Sequence, residues 1–161
     1  MKNILFAFLI LGLFTGCLKG DDNSNVTCTY NECAVVAPTT EIDAVRAYLA
    51  ANSITATQHC SGMFYVIDNA GTGTAPTVCS NVAVTYEGKL TNGTTFDKSE
   101  TPIVFNLSGL ITGFKNGIPL IKTGGKIRLF IPPSLGYGPN PQGSIPGNSI
   151  LIFEVTLVGV Q

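Results

Sequence analysis

The sequence predicts an α+β fold in which an antiparallel β-sheet wraps around one short α-helix, with a short helical extension ahead of it. Three observations lead there. Apolar and polar residues alternate at residues 82–87, 126–131 and 151–157, the two-residue period of strands with one buried face. Asn92-Gly93 follows the first of these runs and is a strong hairpin signal. Helical spacing is confined to two short segments, and 18 glycines and 9 prolines in 161 residues favour turns over helices.

In chain order, Thr39 or Thr40 can cap a helix over residues 41–52. Ile42, Val45 and Leu49 form one apolar stripe on it, bordered by Arg46, while Asp43, Ala44 and Ala47 face away. So short a helix is marginal alone, so it is expected to pack on the domain that follows, with a dimerisation arm as the alternative. Residues 63–67 read as a short strand, and Gly71 and Gly73 mark a loop. In the next strand Val82, Val84 and Tyr86 share one face and Ala83, Thr85 and Glu87 the other. Residues 103–107 are a further strand. Residues 114–121, between Gly113 and Gly124, are the short helix, where Pro119 fits only near the first turn or as a kink. Ile127, Leu129 and Ile131 alternate with Lys126, Arg128 and Phe130, and Leu151, Phe153, Val155 and Leu157 line one face of the last strand.

The N-terminus reads as a targeting segment. Lys2 precedes an apolar run over residues 4–14, too short to span a bilayer and the right length for a signal sequence. The run ends in Leu13-Phe14-Thr15-Gly16-Cys17, which resembles a bacterial lipobox with Phe14 in a place usually held by an aliphatic residue. Cleavage before Cys17 and its lipidation are therefore expected, an ordinary signal peptide being the alternative. Lys19-Gly20-Asp21-Asp22 resembles the export signal of some surface lipoproteins and equally reads as a solvated linker.

Export accounts for the other cysteines. Cys28, Cys33, Cys60 and Cys79 are even in number, which in an oxidising compartment implies two disulfides with three connectivities open. Proximity in sequence favours a local Cys28–Cys33 loop, which leaves Cys60–Cys79. No tight CxxC pair supports zinc, and no metal site is expected. Charged residues make up 12% and the net charge is −1, so no nucleic-acid surface is implied. His59, the only histidine, precedes the sheet, is expected to be exposed and takes no catalytic role. Without a second histidine a hydrolase triad is not expected.

What remains is a set of aromatic and branched residues with one acid. VTYEGKL, NGTTFD, LITGF, KIRLFIPPSLGYG and SIPGNSILIFEVTL occur in that order from residue 84 onward. This stretch resembles the FKBP-type peptidyl-prolyl cis-trans isomerase domain, over roughly the last hundred residues. The resemblance implies an FKBP-like fold and assigns a pocket. Its wall would be Tyr86, Phe96, Asp97, Leu110 and Ile111. Phe114 stands where many members carry a tryptophan floor. Tyr137 matches the tyrosine whose hydroxyl meets a ligand carbonyl, Ile145 a rim residue, and Phe153 a phenylalanine of the last strand. Ile103 occupies a place where many members have another phenylalanine, Gln142 lies near a frequent histidine, and two residues are missing between Leu107 and Leu110. Taken singly, Phe114 and Phe153 read as core aromatics and Asp97 as a turn cap.

The division expected is then a signal peptide at 1–16, a lipid-anchored flexible tether at 17–38, a helical extension at 39–61 and an FKBP-type domain at 62–161. The activity implied is prolyl isomerisation during folding of exported or envelope proteins, with Tyr86, Phe96, Asp97, Ile111, Phe114, Tyr137 and Phe153 as catalytic residues and Ile103, Leu110 and Ile145 as substrate contacts. Proline-containing polypeptides are the partners, with macrolides of the rapamycin type as further ligands. No cofactor is expected. The protein is expected to be a monomer, held at the cell envelope through Cys17 on the periplasmic or outer face of the outer membrane. The rival reading is a binding module that uses the same pocket as a holdase or ligand receptor.

Overall fold

Alternation along the last strand decides which face of the sheet is buried. Leu151, Phe153, Val155 and Leu157 are at most 4% exposed, and the residues between them are partly open. The computed structural model describes residues 28–161; the expected signal segment and Cys17 lie outside them. Six strands make one antiparallel sheet: β1 (Thr57–Gln58), β2 (Phe64–Asn69), β3 (Asn81–Leu90), β4 (Thr95–Asn106), β5 (Lys126–Ile131) and β6 (Leu151–Val160), in the order β1-β2-β5-β6-β3-β4. Two helices accompany it, α1 (Thr39–Ala51) and α2 (Thr112–Gly117).

The short helix differs from the sequence expectation in length. α2 ends at Gly117 and hands over to a 3₁₀ turn, Ile118–Leu120. Pro119 has no N–H to donate to a carbonyl four residues back, and its ring crowds that carbonyl; the tighter turn avoids both. α2 lies on the inner face of β5 at very close range. A Cβ at Gly113 would fall 2.5 Å from Ile131, and one at Gly117 would fall 2.5 Å from Leu129.

β4 is one long strand where the sequence indicated only residues 103–107, so Phe96 and Asp97 lie on the sheet. Its register against β3 jumps from Val84–Ile103 to Tyr86–Ser99. Pro102 lies in the skipped stretch, where a missing N–H costs no ladder bond. Asn92-Gly93 makes the expected turn, with Gly93 at φ +84°.

Phe130 was expected among the outward residues of β5, yet it is 1% exposed. The cause is α1, which packs against Phe64 and Phe130 on the outer face of the sheet. Its stripe of Ile42, Val45 and Leu49 is buried, and Tyr48 sits 6.4 Å from the Phe130 ring. Burying three such side chains contributes about 1.5–3 kcal/mol each. The stripe is therefore covered within the chain. The helix starts after Pro38 without a side-chain cap, so neither Thr39 nor Thr40 caps it; both fall inside its first turn.

The disulfides correct the expected pairing. Cys28 joins Cys79, and Cys33 joins Cys60. Sequence proximity misleads because residues 28–38 run back along the domain: Cys28 comes within 5.9 Å (Cα–Cα) of Cys79, just ahead of β3, and Cys33 within 5.5 Å of Cys60, between β1 and β2, both inside the disulfide range. This stretch belonged to the expected flexible tether; instead it is a strap fixed at two points. His59 is also corrected. It is buried at 8% exposure, with Nδ1 2.9 Å from Ser61 Oγ, because the strap and the Cys33–Cys60 bridge close over it.

The bridges close loops of 51 and 27 residues in sequence. Reduction is expected to lower unfolding free energy by about 3–4 kcal/mol per bridge on chain-entropy grounds, read from urea unfolding with and without reductant. An unchanged midpoint would show that the strap adds nothing to stability.

Candidate active site

The inner face of the sheet is not filled at one end. Between β3, β4, β6 and α2 lies a cleft of about 250 Å³, lined by Tyr86, Asp97, Phe105, Gly109, Leu110, Ile111, Phe114, Tyr137 and Phe153. Phe153 is its centre. Phe114 meets it edge-on at 4.7 Å, Phe96 edge-on at 5.4 Å, and Tyr86 tilted at 6.4 Å. Edge-to-face contacts match the positive rim of one ring to the negative face of another and fix their angles.

Gly88 makes this possible. It pairs with Phe153 on β6 and Asp97 on β4, and a Cβ there would lie 2.6 Å from the Phe96 ring and 2.8 Å from the Phe153 ring. Any larger residue would push the two aromatics apart. The glycine in VTYEGKL could be read from the sequence, but not the two rings that close over it.

One polar pair enters the wall. The Tyr86 hydroxyl donates to Asp97 Oδ2 at 2.6 Å. Burial first, and then the Asp97 carboxylate it bonds, push the Tyr86 phenol up to about 12. Tyr137 is raised as well, by burial and then by the charge of Asp97. Tyr137 is 41% exposed, and among the described residues its hydroxyl has no protein hydrogen-bond partner, so it can serve a ligand carbonyl. It follows a 3₁₀ turn, Pro133–Leu135, that α1 holds in place: Glu41 Oε2 accepts from the Ser134 N–H at 2.9 Å.

Of the ten pocket residues expected from the sequence, Tyr86, Asp97, Leu110, Ile111, Phe114, Tyr137 and Phe153 line the cleft directly. Phe96 stands behind Phe153 and supports it. Ile103 does not contribute to the lining and is 38% exposed on the edge strand. Phe105, two residues along the same face, takes that wall and packs 6.1 Å from Tyr86. Ile145 is 7% exposed and turns into the core, where the Gln142–Ile145 bridge holds it. Phe105 and Gly109 went unnoticed in the sequence; the alternation Ile103, Phe105, Leu107 carried the signal for Phe105.

A sequence profile described as FKBP-type peptidyl-prolyl cis-trans isomerase matches residues 73–158, just over half of the chain. The chain belongs to this family. FKBP-type relatives named FkpA include one from Buchnera aphidicola subsp. Schizaphis graminum, 46% identical over 105 residues, and one from Escherichia coli, 44% identical over 104. Each alignment covers 63% of this chain, but 42% and 38% of the relative, so the chain spans about two fifths of the length of these curated relatives. The crystal structure of FkpA from E. coli superposes with a TM-score of 0.69 at 36% identity, covering 76% of this chain and 60% of that one. A peptidyl-prolyl cis-trans isomerase from Pseudomonas syringae gives 0.68 at 32% identity, covering 78% and 97%. The FKBP-like fold is thus shown by sequence and by structure. The strap and α1 lie ahead of the matched FKBP profile.

A phenol whose folded pKa is raised stabilises the protein fully below the unfolded value, and that contribution is lost as pH rises through the folded one. For Tyr86 the window runs from 10.0 to about 12. Absorbance titration is expected to show a phenol ionising near 12, and Tyr86→Phe should remove that step and flatten the fall in stability across the window. A step near 12 that persists in Tyr86→Phe would contradict the assignment.

Proposed function

We propose that this chain is a peptidyl-prolyl isomerase of the bacterial cell envelope, acting on proline-containing segments of exported proteins and anchored by lipid at Cys17. The observation that carries the reading is the aromatic cleft around Phe153, together with membership of the family. The X-Pro bond turns slowly because amide resonance sets a barrier of about 18–20 kcal/mol. Water reinforces that resonance by hydrogen-bonding the carbonyl. In the cleft, Phe114, Phe153 and Ile111 hold the proline ring and exclude water, which favours the twisted, less conjugated amide over the planar one. Tyr137 orients a substrate carbonyl. Asp97, steadied by Tyr86, adds a polar contact at the wall, and Phe96 keeps Phe153 in place. No proton moves and no covalent intermediate forms. Each tenfold of acceleration needs only about 1.4 kcal/mol of preference for the twisted form.

Macrolides of the rapamycin type would compete for the same cleft. Lipidation would tie the domain to the membrane, with each buried CH₂ contributing roughly 0.8 kcal/mol. The four cysteines beyond Cys17, joined in two disulfides, suit an oxidising compartment.

Residues 18–161 are expected to accelerate isomerisation of an apolar X-Pro peptide, and Tyr137→Phe, by losing a substrate contact, and Phe96→Ala, by freeing Phe153, to lower kcat/KM by about tenfold each. A folded sample with no acceleration across several X residues would remove the enzyme reading in favour of a holdase. Mass spectrometry of the protein from a bacterial membrane fraction is expected to find an N-terminal, acylated Cys17. An unmodified mature N-terminus would eliminate the anchor.

A further inference from the structure

Asn116 is 1% exposed, one of three buried polar side chains among the described residues. It lies on α2, two residues after Phe114, and both ends of its amide are held by the strap. Oδ1 accepts from the Tyr30 hydroxyl at 2.7 Å, and Nδ2 donates to the Glu32 carbonyl at 3.1 Å. Tyr30 and Glu32 lie between Cys28 and Cys33, each of which is bonded to the domain by a disulfide. The Lys115 ammonium sits 5.8 Å from the Tyr30 ring centroid, adding a second contact between the strap and the helix.

α2 has six residues, too few to hold its shape or height alone. Gly113 and Gly117 rest against Ile131 and Leu129, and the strap grips Asn116. Phe114 is carried on this helix, so its depth in the cleft depends on both contacts. The strap lies ahead of the segment that matches the family profile.

We propose that Asn116, gripped by Tyr30 and by the Glu32 carbonyl, is a positioning residue that sets the depth of Phe114 in the proline cleft. The disulfides on either side hold the grip in register. This rests on the isomerase reading above. It differs from general stabilisation because it concerns one ring, and that ring can be observed directly.

The chain has no tryptophan, so Phe114→Trp places a single indole at the floor. Tyr30→Phe removes one hydroxyl from a ring that is already 40% exposed and leaves both bridges in place, so folding should survive. Asn52→Ala serves as a comparison: it removes the hydrogen bond that Asn52 Nδ2 donates to the Tyr48 carbonyl at the far end of α1, away from the strap and α2. All variants are assayed well below their unfolding midpoints. Tyr30→Phe is expected to lower kcat/KM about fivefold, the effect of one neutral hydrogen bond. In the Phe114→Trp background it should also raise acrylamide quenching of the indole about twofold, by freeing the floor. Asn52→Ala is expected to change neither. Unchanged activity and quenching in Tyr30→Phe, or equal effects from Asn52→Ala, would overturn the proposal. If the parent protein itself fails to accelerate isomerisation, the isomerase reading falls; quenching then decides alone whether the strap holds the floor.

Discussion

The close seating of α2 on β5 is the constraint on which the site depends. Two glycines face Leu129 and Ile131 where any Cβ would overlap them, so the helix can approach the sheet more nearly than a helix with side chains on that face. That approach brings Phe114 to 4.7 Å from Phe153. Gly88 repeats the device on the sheet itself by leaving room for Phe96 and Phe153 to meet. Tight interiors transmit such small differences, because a well-packed core has few voids in which to absorb them. The cleft is thus bounded by rings whose places are set by residues that have no side chain.

The chemistry of the site follows from what those rings exclude. The lining is mainly aromatic and aliphatic, with one carboxylate, and that carboxylate is held by the Tyr86 hydroxyl. Burial and the Asp97 charge keep both cleft tyrosines protonated beyond the ordinary range. Their hydroxyls are therefore donors throughout the physiological range. Such a site is suited to desolvation and orientation of a neutral amide, not to proton transfer, for which a group poised near neutrality serves best.

The segment ahead of the domain extends this arrangement. α1 supplies a buried stripe to the outer face of the sheet, and its Glu41 holds the turn that leads to Tyr137. The strap holds α2 through Asn116. Tyr137 and Phe114, both lining the cleft, are thus supported by residues that precede the matched family segment.

Local periods and the turns between them can be read directly along the chain. The alternation of Leu151, Phe153, Val155 and Leu157, the Asn92-Gly93 turn and the stripe of Ile42, Val45 and Leu49 were legible because their signals repeat within a few residues. The ordered motifs from residue 84 onward were enough to indicate the fold and most of the cleft. What the sequence left undetermined depended on distance in space. Cys28 and Cys33 are near in sequence, but the strap carries each to a different partner. His59 and Phe130 are buried by elements far along the chain, so no local pattern marks them. Phe105 takes the wall in place of Ile103: it lines the cleft and packs against Tyr86, while Ile103 stays outside the lining. Burial, disulfide pairing and wall position depend on which surfaces meet in the folded chain, and a local sequence pattern does not record that.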